Sequence, residues 1–378
     1  MKNRLESLDV LRGFDMFFIF LPDPAPCVVF VFLAMLGLGD TAFAAQFDHV
    51  AGAGLHFYDC IFPLFLFISG VTWPFSLASQ RAKGASEAAI TLKIVKRMVL
   101  LFAMGSMLWT VIDGTLERNV LSFDWEHFRT WSVIGRIGIA WGVAAFLCRL
   151  FGWRTRVGIC AGILVTMWLT TRFVTAPGAP ARINPIEHPE YLFGRWMDVH
   201  YLTTAHRGEG GFYTITMVAT AMLGNFAGEI LRGATSSPVR KAVKLAALAA
   251  GLLLLGLILA FGCGSWSIPV YKGIWSSSFV LVAGGVSAGL LSLFYWIVDV
   301  KGWRRWGFFF KVIGMNAITI YILVRTVLNY GFLKAYFFGG ISQHLSAPVA
   351  EFVSQAGLIA LGWTLLYYLY KKNIFLRV

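Results

Sequence analysis

Apolar runs long enough to cross a lipid bilayer recur along the whole of this 378-residue chain. A helix needs roughly 20 predominantly apolar residues to cross the hydrocarbon core of a membrane. Charged residues make up only 13% of the chain, whereas soluble domains usually carry about 25%. The runs predict spanning helices at 10–22, 58–79, 94–112, 131–149, 155–174, 212–231, 242–263, 277–298, 311–329 and 347–370. The predicted fold class is therefore all-α, a polytopic membrane bundle of about ten transmembrane helices in a single domain, 1–378.

The basic residues predict which side of the membrane each loop faces. With ten spans, and with the apolar piece 27–38 re-entrant or on the surface, the basic clusters all fall on one side. Positive-inside bias makes that side the cytoplasm, with both termini inside. The outer loops are then 39–57, 113–130, 175–211, 264–276 and 330–346. The clusters are Lys2/Arg4/Arg12, Arg81/Lys83/Lys93/Lys96/Arg97, Arg149/Arg154/Arg156, Arg232/Arg240/Lys241/Lys244, Lys301/Arg304/Arg305/Lys311 and Lys371/Lys372/Arg377.

The net charge of +13 does not predict a nucleic-acid partner. Proteins that bind nucleic acid usually concentrate their bases on one soluble face or helix, whereas here the bases lie in short clusters between apolar runs. No metal site is predicted either, because the five cysteines are scattered without CxxC or Cys/His zinc spacing. The basic start, the apolar stretch and the triplet 42–44 imitate a signal peptide. The apolar stretch is longer than the apolar region of a signal peptide and is interrupted by prolines. We therefore predict that it is not cleaved off and forms the first membrane span.

Histidine is the side chain best suited to proton transfer near neutral pH, and the predicted topology puts every histidine outside. A plain alternative is that the outer loops are simply longer and more polar. The histidines are His49 and His56 in the first outer loop, His127 in the second, His188, His200 and His206 in the third, and His344 in the last.

The densest polar constellation is the stretch 48–63, which contains His49 and Asp59 on either side of a glycine-rich turn. A histidine and a carboxylate brought together by such a turn can form an oriented base. Asp59 also falls in the first turn of the next helix, where an anion is favoured by the helix dipole. On spacing alone, a helix-capping Asp59 and an ordinary loop histidine are the better-supported interpretation.

Ionisable residues in or beside apolar runs are a second signal, because each is costly in lipid and usually faces a cavity or a partner. Residues near the ends of spans can extend towards water, which gives Asp113 and Asp299 a structural explanation. Arg136 and Arg325 are harder to explain in this way. The set is Asp15, Asp113, Asp299, Arg136 and Arg325, with Asn225 and Asn316 as uncharged companions.

A series of motifs, in order along nearly the whole chain, resembles the heparan-alpha-glucosaminide N-acetyltransferase family and its bacterial relatives. No single motif is decisive, but their order and spacing are fairly specific. The motifs are Arg4-Leu-Glu-Ser-Leu-Asp9-Val-Leu-Arg12-Gly13, His49 to Gly54 with Asp59, Phe62-Pro63 to Gly70, Gly135-Arg136-Ile, Gly210-Gly211 through Leu223-Gly224-Asn-Phe-Ala-Gly228, Pro269-Val-Tyr-Lys272-Gly-Ile-Trp275-Ser-Ser-Ser, Asp299-Val-Lys301-Gly302, Gly314-Met-Asn316 and the tail from Lys371 to Phe375.

The resemblance implies a transmembrane acyltransferase that crosses a bacterial inner membrane several times. It would take acetyl from cytoplasmic acetyl-CoA, as a co-substrate, and deliver it to an amino sugar or related glycan on the outer side. The family's active-site histidine maps onto His49 and its loop aspartate onto Asp59, with the ten-residue interval preserved. The resemblance therefore favours a catalytic pair here, with His49 as general base or transient acyl acceptor. The family usually has an asparagine near the end of the first span, where this chain reads Leu21-Pro22-Asp23-Pro24 and continues into an extra apolar piece.

Arg136, Lys272, Trp275 and Asn316 are predicted to line the CoA or acyl channel, because they occupy motifs that resemble the family's. A basic cytoplasmic face would attract the CoA phosphates. Two other functions stay open: a transporter of sugars or peptidoglycan fragments, which intramembrane Arg and Asp residues would also suit, and a catalytically silent scaffold or sensor. The expected partners are acetyl-CoA, a sugar or glycan acceptor and membrane lipid. A second copy of the chain, forming a homodimer, is a further candidate partner.

Overall fold

The computed structural model describes residues 5–21, 26–115, 131–180, 183–202, 210–326 and 330–376. At 108–115, 324–326 and 330 it describes the backbone alone. Asp23, His127 and His206 lie outside the described residues, as do the side chains of Asp113 and Arg325. Within the described ranges the chain is helical, and its only extended pairing is an isolated bridge between Thr175 and Leu192.

The described helices follow the predicted spans closely through most of the chain. They are α1 Glu6–Phe18, α2 Val28–Met35, α3 Ala42–Ala45, α4 Ile61–Ala82, α5 Glu87–Thr115, α6 Val133–Leu150, α7 Trp153–Phe173, α8 Phe193–His200, α9 Thr214–Arg232, α10 Pro238–Leu257, α11 Ser277–Tyr295, α12 Phe308–Met315, α13 Ala317–Thr326, α14 Tyr330–Ser342 and α15 Ala347–Lys371. A 3-10 turn at Phe57–Cys60 leads directly into α4. Turns of π-helix extend α10 through Ile258–Gly262 and α11 through Trp296–Val300.

Six helices in the described part of the chain are long and apolar enough to cross a membrane. They are Phe57–Ala82, Val133–Leu150, Thr214–Arg232, Pro238–Gly262, Ser277–Val300 and Ala347–Lys371. The chain is a helical membrane protein, as predicted. The count of ten spans and the cytoplasmic position of the termini stay predictions.

Three segments differ from the sequence-based expectation. The run 311–329 is not one helix, because α12 ends before Asn316 and α13 starts after it, and Asn316 has non-helical backbone angles. The predicted outer loop 330–346 is mostly helix, since α14 occupies it and packs beside α15. The apolar piece 27–38 contains only the eight-residue α2, which lies against α15 and is too short to cross a bilayer.

Glycines bring helix backbones into direct contact around the centre of the bundle. A Cβ atom built on Gly224 of α9 would lie 2.1 Å from the carbonyl oxygen of Phe67 in α4, and one on Gly70 would lie 2.2 Å from that of Ala221. Small residues allow such close packing between membrane helices. The α4–α9 contact therefore holds α4, and with it the preceding 3-10 turn that carries Asp59, in a fixed position.

Ion pairs join basic clusters that are far apart in sequence. Glu6 at the start of α1 binds Lys311 of α12 at 2.6 Å and lies 3.5 Å from Arg304. Glu87 at the start of α5 binds Arg81 at 3.0 Å and Arg149 of α6 at 3.1 Å. The ends of α1, α4, α5, α6 and α12 that carry these clusters therefore meet in two charged groups.

Candidate functional site

The stretch between α3 and α4 folds back on itself at two glycines. Gly52 and Gly54 have φ angles of +90° and +139°, values that residues with a Cβ rarely adopt. The amide of Gly54 donates to the carbonyl oxygen of Val270 at 2.7 Å. This bond ties the 39–57 segment to the 264–276 segment, more than 200 residues later in the chain.

The carboxylate of Asp59 is buried, with 2% of its side chain exposed, and organises this turn. Its Oδ2 accepts hydrogen bonds from the backbone amides of His56 at 3.1 Å and Val50 at 3.3 Å. Its Oδ1 lies 2.6 Å from Nδ1 of His49 and accepts from Nζ of Lys272 at 3.4 Å. Oδ2 therefore holds the loop, while Oδ1 contacts two ionisable side chains, those of His49 and Lys272.

The imidazole of His49 is half exposed, at 51%, although its partner is buried. An ionised carboxylate can only accept, so the 2.6 Å contact assigns the Nδ1 proton to the bond with Asp59. When the ring is neutral, Nε2 is then the nitrogen that carries the free lone pair. The Tyr58 ring lies 4.7 Å from the imidazole, centroid to centroid, and limits its rotation. A histidine held in this way can take up a proton or an acyl group at Nε2.

Lys272 reaches the same place from the segment before α11. Its ammonium lies 3.2 Å from Nδ1 of His49 and 3.4 Å from Oδ1 of Asp59, and only 16% of its side chain is exposed. The short 3-10 turn Lys272–Ile274 is followed by Trp275 in the left-handed conformation, with φ of 45°. The indole of Trp275 is fully buried and donates to Thr220 at 3.1 Å, which anchors the turn that carries Lys272.

A cavity of about 1060 Å³ starts at this group of side chains and runs into the bundle. Along α4, the residues that line it extend from Ile61 to Ser76, a distance of about 22 Å at 1.5 Å per helical residue. Aromatic and aliphatic side chains, including Phe62, Phe65 and Leu101, line its middle. Its lining thus joins the His49 site to positions more than four turns further along α4.

The other end of the cavity is basic. Arg12 of α1 and Lys93, Lys96 and Arg97 of α5 line it, together with Phe375 from the segment after α15. The three α5 residues share one helix face, because side chains three and four positions apart are neighbours. We call these four cations the basic end. All four belong to the basic clusters of the sequence, which predicted sidedness and a basic face that attracts the CoA phosphates but did not assign these individual residues to a site.

The predicted site residues separate into two groups. His49, Asp59 and Lys272 are in contact, and His49 and Lys272 line the cavity. Arg136, Trp275 and Asn316 are buried and are not among its lining residues in the described structure. The Trp275 ring lies 4.9 Å from that of Phe62, and the Arg136 guanidinium lies 5.6 Å from the same ring. Both therefore support the cavity wall from behind, while Asn316 marks the break between α12 and α13.

No family model matches the chain. The heparan-alpha-glucosaminide N-acetyltransferase of Mus musculus is 25% identical to it over an alignment of 427 residues that covers 100% of this chain. The protein of the same name from Homo sapiens is 25% identical over 426 residues, covering 99% of this chain. This chain is a distant relative of these acetyltransferases. The resemblance predicted from its motifs is thereby confirmed.

The heparan-alpha-glucosaminide N-acetyltransferases are longer than this chain. The alignments cover 61% of the mouse protein and 60% of the human protein. The shared part of the chain includes the segments that carry His49, Asp59 and Lys272, since the alignments extend over essentially all of it.

Proposed function

We propose that this chain is a transmembrane acetyltransferase that moves an acetyl group from acetyl-CoA at one membrane face to an amino sugar or related glycan at the other. The observation that carries the proposal is the cavity that joins the basic end to the His49–Asp59 pair. A donor entering at the basic end would have its reactive group directed towards an oriented histidine.

The chemistry of the cavity wall suits acetyl-CoA. Arg12, Lys93, Lys96 and Arg97 supply positive charge for the nucleotide phosphates. The apolar middle suits the pantetheine arm, which is largely uncharged and loses little solvation there. A volume of about 1060 Å³ is slightly larger than the usual range for ligand sites, roughly 300–1,000 Å³, as a long molecule such as acetyl-CoA requires.

His49 and Asp59 provide the reaction centre in this proposal. Asp59 holds the proton of His49 on Nδ1, so that Nε2 can remove a proton from the attacking amine or hydroxyl. The same lone pair could instead attack the thioester and carry the acetyl group briefly. In both routes Asp59 stabilises the positive charge that forms on the ring, in addition to orienting it.

Positive-inside bias would put the basic end and both termini in the cytoplasm, with the His49 site at the outer face. The proposed location is the inner membrane of a bacterium. The acceptor would be a sugar amine or hydroxyl that reaches His49 from outside, and the word glucosaminide in the relatives' name is consistent with an amino sugar.

The test uses the full-length protein in proteoliposomes with acetyl-CoA labelled in its acetyl group and glucosamine as the first acceptor. We expect labelled N-acetylated sugar from the wild type, and a loss of roughly 10²–10⁴-fold in rate from His49→Ala, because the base is removed. His188→Ala is the matched control, since His188 is an exposed histidine paired with Glu190. Normal acetylation by His49→Ala would contradict the proposal, and sugar uptake without acetyl-CoA would identify a transporter instead.

A further inference from the structure

We propose that Lys272 is a further catalytic residue, which binds the acetyl oxygen and stabilises the negative charge that develops on it during transfer. This inference rests on the proposed acetyltransferase function. Neither His49 nor Asp59 can stabilise the acetyl oxygen. His49 takes up the proton at Nε2, and Asp59 carries a negative charge of its own.

The position of Lys272 suits contact with a donor held at His49. Its Nζ atom lies 3.2 Å from the imidazole, and its side chain lines the cavity beside that ring. The other lysines and arginines that line the cavity within the described residues belong to the basic end, on α1 and α5. An acetyl group placed against Nε2 of His49 would therefore have the Lys272 ammonium as its nearest positive charge.

The Lys272 ammonium has N–H groups that donate no hydrogen bond within the described part of the site. Its ammonium carries three N–H groups, and Oδ1 of Asp59 accepts one of them. Nδ1 of His49 offers no lone pair, because it carries a proton that it donates to the same carboxylate. Among the residues that the structure describes, no other acceptor is in contact with Lys272. A carbonyl oxygen in the cavity would supply one.

The charges at the site also favour this role. Lys272 and Asp59 form an ion pair, with side chains 16% and 2% exposed, so together they are close to neutral before the reaction starts. During transfer the imidazole gains a positive charge and the acetyl oxygen gains a negative one. Because the Lys272 side chain is itself largely shielded from water, an N–H group that it directs at the oxygen stabilises that charge more than it would in solution.

The step balances without a further reactant. The amine nitrogen of the acceptor forms a bond to the thioester carbon, the C=O electron pair moves to oxygen next to Lys272, and Nε2 of His49 takes the amine proton. When the C=O bond re-forms, the C–S bond breaks, and the departing thiolate takes that proton from Nε2. If His49 attacks first, the same negative oxygen forms, so Lys272 is needed on both routes.

The first measurement compares steady-state kinetics of Lys272→Met with Lys272→Arg and the wild type in proteoliposomes. We expect kcat to fall by roughly 10²–10³-fold in Lys272→Met, the usual effect of removing one donor to such an oxygen, with the KM for glucosamine little changed. Lys272→Arg, which keeps the charge and donors, is expected to recover part of the rate. Lys83→Met, at an exposed lysine beyond the end of α4, is the matched control.

The second measurement detects the contact directly and does not depend on turnover. Acetyl-CoA with a ¹³C-labelled carbonyl is bound to His49→Ala and to the double variant His49→Ala/Lys272→Met, and the carbonyl stretch is recorded by isotope-edited infrared spectroscopy. A hydrogen bond from Lys272 lowers the stretching frequency, so we expect a higher frequency in the double variant. A role of Lys272 in local structure alone would not move this band.

The outcomes separate the two proposals. Equal frequencies in the two variants, or a raised KM for the acceptor with an unchanged kcat, would overturn the assignment of Lys272 while the acetyltransferase proposal stands. A wild type that neither binds acetyl-CoA nor consumes it would overturn both.

Discussion

At the scale of single residues, Asp59 serves both the loop and the proposed reaction. Oδ2 accepts from the amides of His56 and Val50, as a helix-capping carboxylate does, and Oδ1 holds His49. The sequence suggested these as alternatives, a cap or a catalytic partner, and the structure contains both sets of contacts. The distinction could not be made from spacing, because it depends on how two glycines turn the backbone between residues 49 and 59.

Replacing Asp59 by asparagine should separate the two tasks. Asparagine can still accept from the loop amides with its oxygen, which turns its NH₂ group towards His49. Nδ1 must then accept, so the ring proton moves to Nε2, where the lone pair is needed. We expect kcat to fall by about 10²–10⁴-fold, as when a base is held in the wrong tautomer. The melting temperature should fall moderately, because the ion pair with Lys272 is lost while the loop amides keep their acceptor.

Asp59→Ala is the comparison for that experiment. It leaves the amides of Val50 and His56 without the acceptor that they have here, so we expect both activity and melting temperature to fall. Full activity of Asp59→Asn in the acetylation assay would show that the orientation of His49 does not depend on this carboxylate.

At the scale of helices, the bundle depends on close backbone contacts that apolar periodicity does not reveal. The span predicted at 277–298 corresponds to Ser277–Val300, and the one at 58–79 to Phe57–Ala82. The break at Asn316 and the helix α14 were not predicted, because an apolar run has the same appearance whether one helix or two pass through it. Which glycines face a neighbouring helix likewise depends on tertiary packing.

Gly224→Ala should therefore destabilise the protein although it adds only one methyl group. The new Cβ would lie 2.1 Å from the carbonyl oxygen of Phe67, so α4 and α9 must move apart. We expect a loss of about 1–3 kcal/mol in the free energy of unfolding, the usual cost of overpacking, read as a lower melting temperature in detergent.

Gly251→Ala provides the control on α10. Nothing lies within 4 Å of a Cβ built at Gly251, and alanine is a better helix former than glycine by up to about 1 kcal/mol. Its melting temperature should equal or exceed that of the wild type. If the two alanine variants melted alike, the α4–α9 backbone contact would not limit stability.

At the scale of the whole molecule, one cavity connects segments from both halves of the sequence. Lys272 meets His49 across 223 positions and Asp59 across 213. The resemblance assigned His49, Asp59 and Lys272 to a site, but only the fold brings them into contact. The fold also adds Arg12 and the α5 cations, whose alignment along a single cavity requires several helices to be packed together.

The basic end predicts a salt dependence that tests the binding of the donor. Salt screens the attraction between exposed charges, with a Debye length of about 8 Å at physiological ionic strength. We expect the KM for acetyl-CoA to rise as sodium chloride is added, while the KM for acetyl-pantetheine, which lacks the nucleotide phosphates, stays nearly constant. Lys96→Gln should reduce the salt dependence.

Lys244→Gln is the matched control, because Lys244 lies on α10, binds Ser236 and does not line the cavity. Its salt dependence should match that of the wild type. The same salt dependence for acetyl-CoA and acetyl-pantetheine would mean that the basic end does not hold the phosphates.

The lining of the cavity also bears on the ion gradients that a membrane must keep. Four cations at one end repel sodium ions and protons, and the apolar side chains further along, such as Phe62 and Phe65, offer these ions no ligands to replace water. An ion that entered such a lining would lose its water without gaining new ligands, which opposes its passage. A cavity wide enough for a long, flexible molecule can therefore reach deep into the bilayer while the membrane stays electrically tight.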